Sequence, residues 1–182
     1  MNKSVKYKFL VLVPHKDVRA ELNNYWKKLT KNGLIGVYHF PLVVPLASLF
    51  KSLTEKELKQ IAFLLRQIAG KSKINSTDTS AITFPAEENK LSLFGPRLDL
   101  ELPAGIFDDC SKIQTLCSPL VIGTFLNPDS SFRVSLLPQL EKLPFRAAAV
   151  ANMYWQAFND GENTAFNWKI GKLSWLPKKP AV

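Results

Sequence analysis

The sequence predicts an α+β fold built mostly of antiparallel sheet, and three observations predict it. Strand-like segments, about eight of them, outnumber three helical ones. Two long β-rich segments close the chain around Asn159-Asp160-Gly161, a strong hairpin signal. No G-x-G-x-x-G or Walker loop occurs, so a doubly wound nucleotide-cofactor fold has no support.

The elements follow in order. Tyr7 to Pro14 is a continuous apolar run and reads as a strand buried on both faces. Asp17 can cap a helix whose apolar positions Val18, Leu22, Tyr25, Trp26 and Leu29 keep helical spacing, with Gly33 as its stop. Gly36 to Pro45 returns as one β-rich segment. Thr54-Glu55-Lys56-Glu57 has the form of a capping box, in which a hydroxyl and a carboxylate satisfy each other's backbone N–H. The helix it opens buries Leu58, Ile61, Ala62, Leu65 and Ile68, and Gly70 ends it.

After a polar loop, Lys71 to Thr79, come three short strands: Ala81 to Pro85, Leu91 to Phe94 and Arg97 to Leu102. A third helix is expected over Phe107 to Cys117, stopping before Pro119. Phe132 to Leu137 is a further strand, and Phe145 to Phe158 and Thr164 to Leu176 form the closing hairpin. In the last strand Phe166, Trp168 and Ile170 share a face, whereas strict alternation puts Leu173 and Trp175 on the other. The phase change at Gly171 reads as a bulge. The two halves look alike: strand, helix, strand carrying a short polar signature, then more strands.

Composition narrows the function. The 182 residues, 46% apolar and 21% charged, suit a single domain spanning 1–182 with a real core. No apolar run is long enough for a membrane-spanning helix, no signal-peptide pattern opens the chain, and only Cys110 and Cys117 are present. A reduced, cytoplasmic protein is the expectation. Lys plus Arg number 24 against 15 acidic residues, a net charge of +9, which favours polyanions such as RNA or nucleotide phosphates. The lysines are scattered, the usual pattern of a solvated surface.

Few residues offer chemistry. His15 follows Pro14 before a helix and reads as a surface or helix-start residue. Tyr154, Trp155, Trp168 and Trp175 are possible stacking surfaces, although aromatics of a terminal hairpin more often belong to the core. Asp108-Asp109 and Glu87-Glu88 are sequence neighbours that do not converge on one point, so no metal site is read from them. Cys110 and Cys117 fall on one face of the expected third helix and read as core. His39 stands out: in Tyr38-His39-Phe40-Pro41-Leu42 it shares a face with Pro41, and half a chain later Arg133 and Ser135 share a face in Phe132-Arg133-Val134-Ser135-Leu136.

These two segments resemble the paired His-x-Thr/Ser motifs of the 2H phosphoesterase superfamily, which includes bacterial 2′-5′ RNA ligase-like proteins and cyclic phosphodiesterases. The resemblance runs loosely over nearly the whole chain. It implies two interleaved, pseudo-symmetric lobes with helices outside and a central cleft, no metal or bound cofactor, a monomer, and RNA or a small nucleotide phosphate as partner. In such a site two His share the proton transfers at a ribose phosphodiester, and the nearby hydroxyls donate to the phosphate. Here Pro41 replaces one hydroxyl residue and Arg133 replaces one His. A guanidinium stays protonated and cannot act as a base, yet it grips phosphate bidentately. The resemblance therefore implies His39 as the proton-transfer residue, Arg133 as charge clamp and Ser135 as phosphate donor, with weak or lost turnover and retained phosphate affinity. Two alternatives stay open: a non-catalytic RNA or nucleotide binder, and a protein-interaction module with a vestigial cleft.

Overall fold

The computed structural model describes residues 4–31, 37–38, 42–66, 73–85, 90–99, 105–107, 113–115, 123–126, 146–159 and 164–177. Within them the chain is α+β and every strand pair is antiparallel. The elements are β1 (Ser4–Pro14), α1 (Lys16–Lys31), β2 (Val37–Tyr38), β3 (Val44–Leu49), α2 (Glu55–Leu65), β4 (Lys73–Pro85), β5 (Lys90–Asp99), β6 (Ile113–Thr115), β7 (Gly123–Leu126), β8 (Ala147–Asn159), β9 (Thr164–Ile170) and β10 (Ser174–Trp175).

One sheet runs β10-β8-β1-β3-β6, with β9 also paired to β8; a second runs β2-β7-β5-β4. β1 lies inside the first sheet, and Phe9, Leu10, Val11, Leu12 and Val13 are all buried. The continuous apolar run thus serves two covered faces, as its lack of alternation requires. On one face Phe9, Val11 and Val13 join Ala149, Ala151, Met153 and Trp155 of β8 in a core cluster, with Tyr7, Trp168, Ile170 and Leu173 packed against it. The Tyr7 and Trp155 rings stack at 5.1 Å between centroids.

The opposite face carries Leu10, Leu12 and Val150, and α2 lies against it, touching β8 and β10. Asn152 of β8 ties the approach to α2 in place: its Oδ1 accepts from Leu53 N–H at 3.0 Å and its Nδ2 donates to Leu53 O at 2.8 Å. The capping box forms as expected. Thr54 Oγ1 accepts from Glu57 N–H at 3.3 Å, and Glu57 Oε2 accepts from Thr54 N–H at 2.6 Å. Leu58, Ile61, Ala62 and Leu65 are buried. Ile68 and Gly70 lie outside the described residues.

The closing hairpin also forms, with pairing out to Asn159–Thr164. The bulge at Gly171 is real. Ile170 pairs with Met153 and Ser174 with Val150, so the outer strand uses one residue more than β8 between these points. Gly171 N–H donates to Asn152 O at 2.8 Å, and a Cβ there would sit 3.2 Å from the same oxygen, tighter than ordinary van der Waals separation. The extra residue returns Leu173 to the face of Trp168 and Ile170.

Several expectations are corrected. The described residues hold two helices: Ile113–Thr115, within the expected third helix, is a strand paired with Leu49, Ser48 and Ala47 of β3. Isoleucine and threonine suit a sheet edge better than a helix interior. Gly36 to Pro45 is not one strand, because Val37–Tyr38 pairs with β7 in the second sheet while Val44 begins β3 in the first. The polar segment before Ala81 is already strand: β4 starts at Lys73, and as an edge strand it needs no alternating apolar face. Leu91–Phe94 and the described part of the next expected strand, Arg97 to Asp99, merge into β5 through Pro96, and Leu100 to Leu102 lie outside the described residues. α1 starts one residue before Asp17, His15 O accepting from Arg19 N–H at 3.1 Å. Val18 and Leu22 are buried on its inner face. The side chains of Tyr25, Trp26 and Leu29, with Gly33 and the strand Phe132–Leu137, lie outside the described residues.

The cap and the asparagine tie each carry a measurable share of stability. Thr54→Ala should cost about 1 kcal/mol in urea unfolding. The Thr54 hydroxyl, then its backbone N–H, hold the Glu57 carboxyl below its usual range. A lowered carboxyl stabilises the fold above its ordinary pKa and loses that contribution as pH falls through the folded value. The gap between wild type and T54A should therefore narrow between about pH 6 and pH 3. Asn152→Leu strips both Leu53 backbone groups of their partner and should cost about 1–3 kcal/mol in the same measurement.

Candidate functional site

His39, Pro41, Arg133 and Ser135 lie outside the described residues, as do Glu87, Glu88, Asp108, Asp109, Cys110 and Cys117. What is described is the frame on either side of the first motif. The chain reaches His39 from β2, whose Tyr38 pairs with Thr124 of the second sheet. It emerges at Leu42, buried, and continues through buried Val43 into β3 of the first sheet. The histidine segment is therefore a covalent connection between the two sheets.

Leu42 borders a cavity of about 400 Å³. Its apolar wall is completed by Val13 at the end of β1 and Ile170 at the end of β9. The facing wall comes from α1: Lys16, Arg19, Ala20 and Asn23, positions separated by three, four and seven residues and so on one side of the helix. Lys16 and Arg19 are exposed, and among the described residues no carboxylate pairs with either. An apolar floor under two cations and an amide is chemistry suited to an anion that also carries a flat or greasy part, as a nucleotide does.

Local geometry aims these cations. Pro14 ends β1 and His15 N–H donates to Arg146 O at 2.8 Å, fixing where α1 departs from the sheet. His15 Nδ1 lies 3.0 Å from Asp17 Oδ2, so this imidazole serves the start of α1, the role its position in the sequence suggests. Neither Lys16 nor Arg19 belongs to a motif. The one signal in the sequence was their helical spacing with Asn23, which looks like any solvated helix face until a cavity is found beside it.

The hairpin aromatics divide. Trp155 is buried in the core cluster with Trp168 packed on it, while Tyr154 keeps 39% and Trp175 66% of its surface exposed. Burial pushes the Tyr7 phenol above its ordinary pKa. Among the described residues no group of three or more His, Cys, Asp or Glu could hold a metal ion, and no helix is long and apolar enough to cross a membrane. No protein-family model, curated protein or solved structure matches this chain.

Replacing both cations, Lys16→Gln with Arg19→Gln, should weaken binding of pyrophosphate about tenfold or more in calorimetric titration at low salt. Unchanged affinity would remove the cavity from anion binding.

Proposed function

We propose that this chain is a 2H phosphoesterase-like protein that binds a ribose phosphate, such as an RNA end, a 2′,3′-cyclic phosphate or a cyclic nucleotide, with weak or lost phosphodiesterase or 2′-5′ ligase-type turnover. The observation that carries the reading is the cation-rimmed cavity beside Leu42, three residues beyond His39. The paired segments around His39 and around Arg133 and Ser135 support it from the sequence, and the net charge of +9 suits an anionic ligand.

In this reading Arg133 and the α1 cations hold phosphate charge, Ser135 donates to a phosphate oxygen, and the apolar wall takes the base or sugar. Of the paired segments, His39 is left as the one group able to move a proton near neutral pH. Arg133 occupies the place of a second such group, and the loss of one general acid or base removes about 10²–10⁴-fold in rate. Binding without efficient turnover is the expected phenotype. The substitution of Arg for His favours this over a full enzyme, because guanidinium strengthens the grip on phosphate while ending one proton path.

Wild type and His39→Ala should be compared on a 2′,3′-cyclic nucleotide, measuring binding by calorimetry and hydrolysis by product formation. Wild type should bind, with affinity falling steeply as salt rises. H39A should retain most affinity and lose the residual hydrolysis. Equal hydrolysis in both proteins would take His39 out of any mechanism, and no salt-sensitive binding would leave a protein-interaction module as the better reading.

A further inference from the structure

The first sheet carries a second polar concavity, on the face turned away from the Trp155 core. Cross-strand register sets Lys8 of β1, Tyr154 of β8 and Lys169 of β9 side by side in one row. Residues paired in this way present their side chains on the same face. Gln156 of β8 stands opposite Asn167 of β9 further along the same face. These five residues, together with Tyr7, Trp155 and Trp168 of the row between them, line a groove of about 290 Å³. Adjacent strands lie about 4.8 Å apart, so the two lysine Cα atoms flank the tyrosine at roughly 10 Å from one another.

Among the described residues, cover by α2 and its approach ends at this row. Toward the other end of the sheet the same face is closed by α2 and by the Asn152–Leu53 hydrogen bonds. The last tie is at Tyr154 itself, whose hydroxyl lies 2.7 Å from Ser52 Oγ. That bond holds the phenol ring in one place, so a ligand stacking on it has little side-chain freedom to freeze. Among the described residues Lys8 Nζ donates one long hydrogen bond, 3.5 Å, to Phe50 O. No carboxylate among the described residues pairs with Lys8 or Lys169.

We infer that this sheet face binds single-stranded nucleic acid, with one base stacked on Tyr154, the flanking phosphates on Lys8 and Lys169, and Gln156 and Asn167 offering donors and acceptors to the next base or sugar. Base stacking on an aromatic ring set between cations is the recognised physics of sequence-tolerant single-strand binding. An acidic peptide would use the lysines and leave the ring idle. The surface lies on a different face from the cavity lined by Val13 and Ile170, and it does not depend on that cavity's ligand.

The test is fluorescence anisotropy of a labelled oligouridine 12-mer at several salt concentrations. Wild type should bind; Tyr154→Ala should weaken binding about tenfold, and Tyr154→Phe, which keeps the ring, should stay within about twofold. Lys8→Gln with Lys169→Gln should lower the slope of log affinity on log salt by about 1.4, near 0.7 for each phosphate that is no longer neutralised. Far-ultraviolet circular dichroism checks that each variant is folded, and Y154F and the lysine pair decide the matter if Y154A is not. The proposal is overturned if wild type fails to bind, if the lysine pair leaves the slope intact, or if poly-glutamate displaces the oligonucleotide as well as unlabelled oligouridine does.

Discussion

The structure depends on the ladder between β1 and β8. Residues Ser4 to Pro14 pair with Phe158 back to Ala147, with a single shift just before Pro14, so the first strand of the chain is zipped to one of its last. β3 attaches to the free edge of β1, β9 and β10 to that of β8, and α2 docks against β8 and β10. Such a pairing gains nothing until a very long loop has closed, and loop closure is entropically costly. The apolar density of Phe9 to Val13, buried without a break, is what offsets it. A weaker run at either end would leave the other strands without a template.

That ladder also separates two kinds of chemistry by a single residue step. Tyr7, Trp155 and Trp168 stand in one cross-strand row and belong to the core; Lys8, Tyr154 and Lys169 stand in the adjoining row and face the other way. A slip of one residue between β1 and β8 would turn β1 over against β8, placing Lys8 against the core cluster and Tyr7 on the other face. Register is therefore strongly specified here, and the polar row is held in place by the packing of the aromatic one behind it.

Much of this frame was legible in the sequence because its signals are local. The capping box at Thr54 and Glu57 needs only four residues, the hairpin at Asn159 only a turn, and the bulge at Gly171 only a break in alternation. Signals that depend on partners misled. Ile113-Gln114-Thr115 is too short to carry a pattern of its own; its strand exists because the edge of β3 is there to pair with. The polar start of β4 reads as loop because an edge strand in a thin sheet needs little apolar surface. His39, Arg133 and Ser135 are singled out by comparing two halves of one chain, and they lie outside the described residues. Lys16 and Arg19 are not singled out in this way, since a cation becomes part of a site only through what faces it.

Prolines show how the sequence sets where the ladders stop. Pro14, Pro45 and Pro96 each pair at a point where register shifts: Pro14 beside Val13 against β8, Pro45 opposite Val11 where β3 slips against β1, and Pro96 opposite Thr79 where β4 slips against β5. A proline has no N–H to give, so a regular ladder cannot run through it, and a bulge or a strand end absorbs the defect. At Pro14 the consequence reaches the cavity. The ladder falters there, the chain leaves the sheet, and α1 begins two residues later with Lys16 and Arg19 lining the same cavity as Val13. Were the ladder to continue by another pair of residues, these cations would be carried away from the apolar wall. The missing donor of one proline thus determines that the wall and the cations meet.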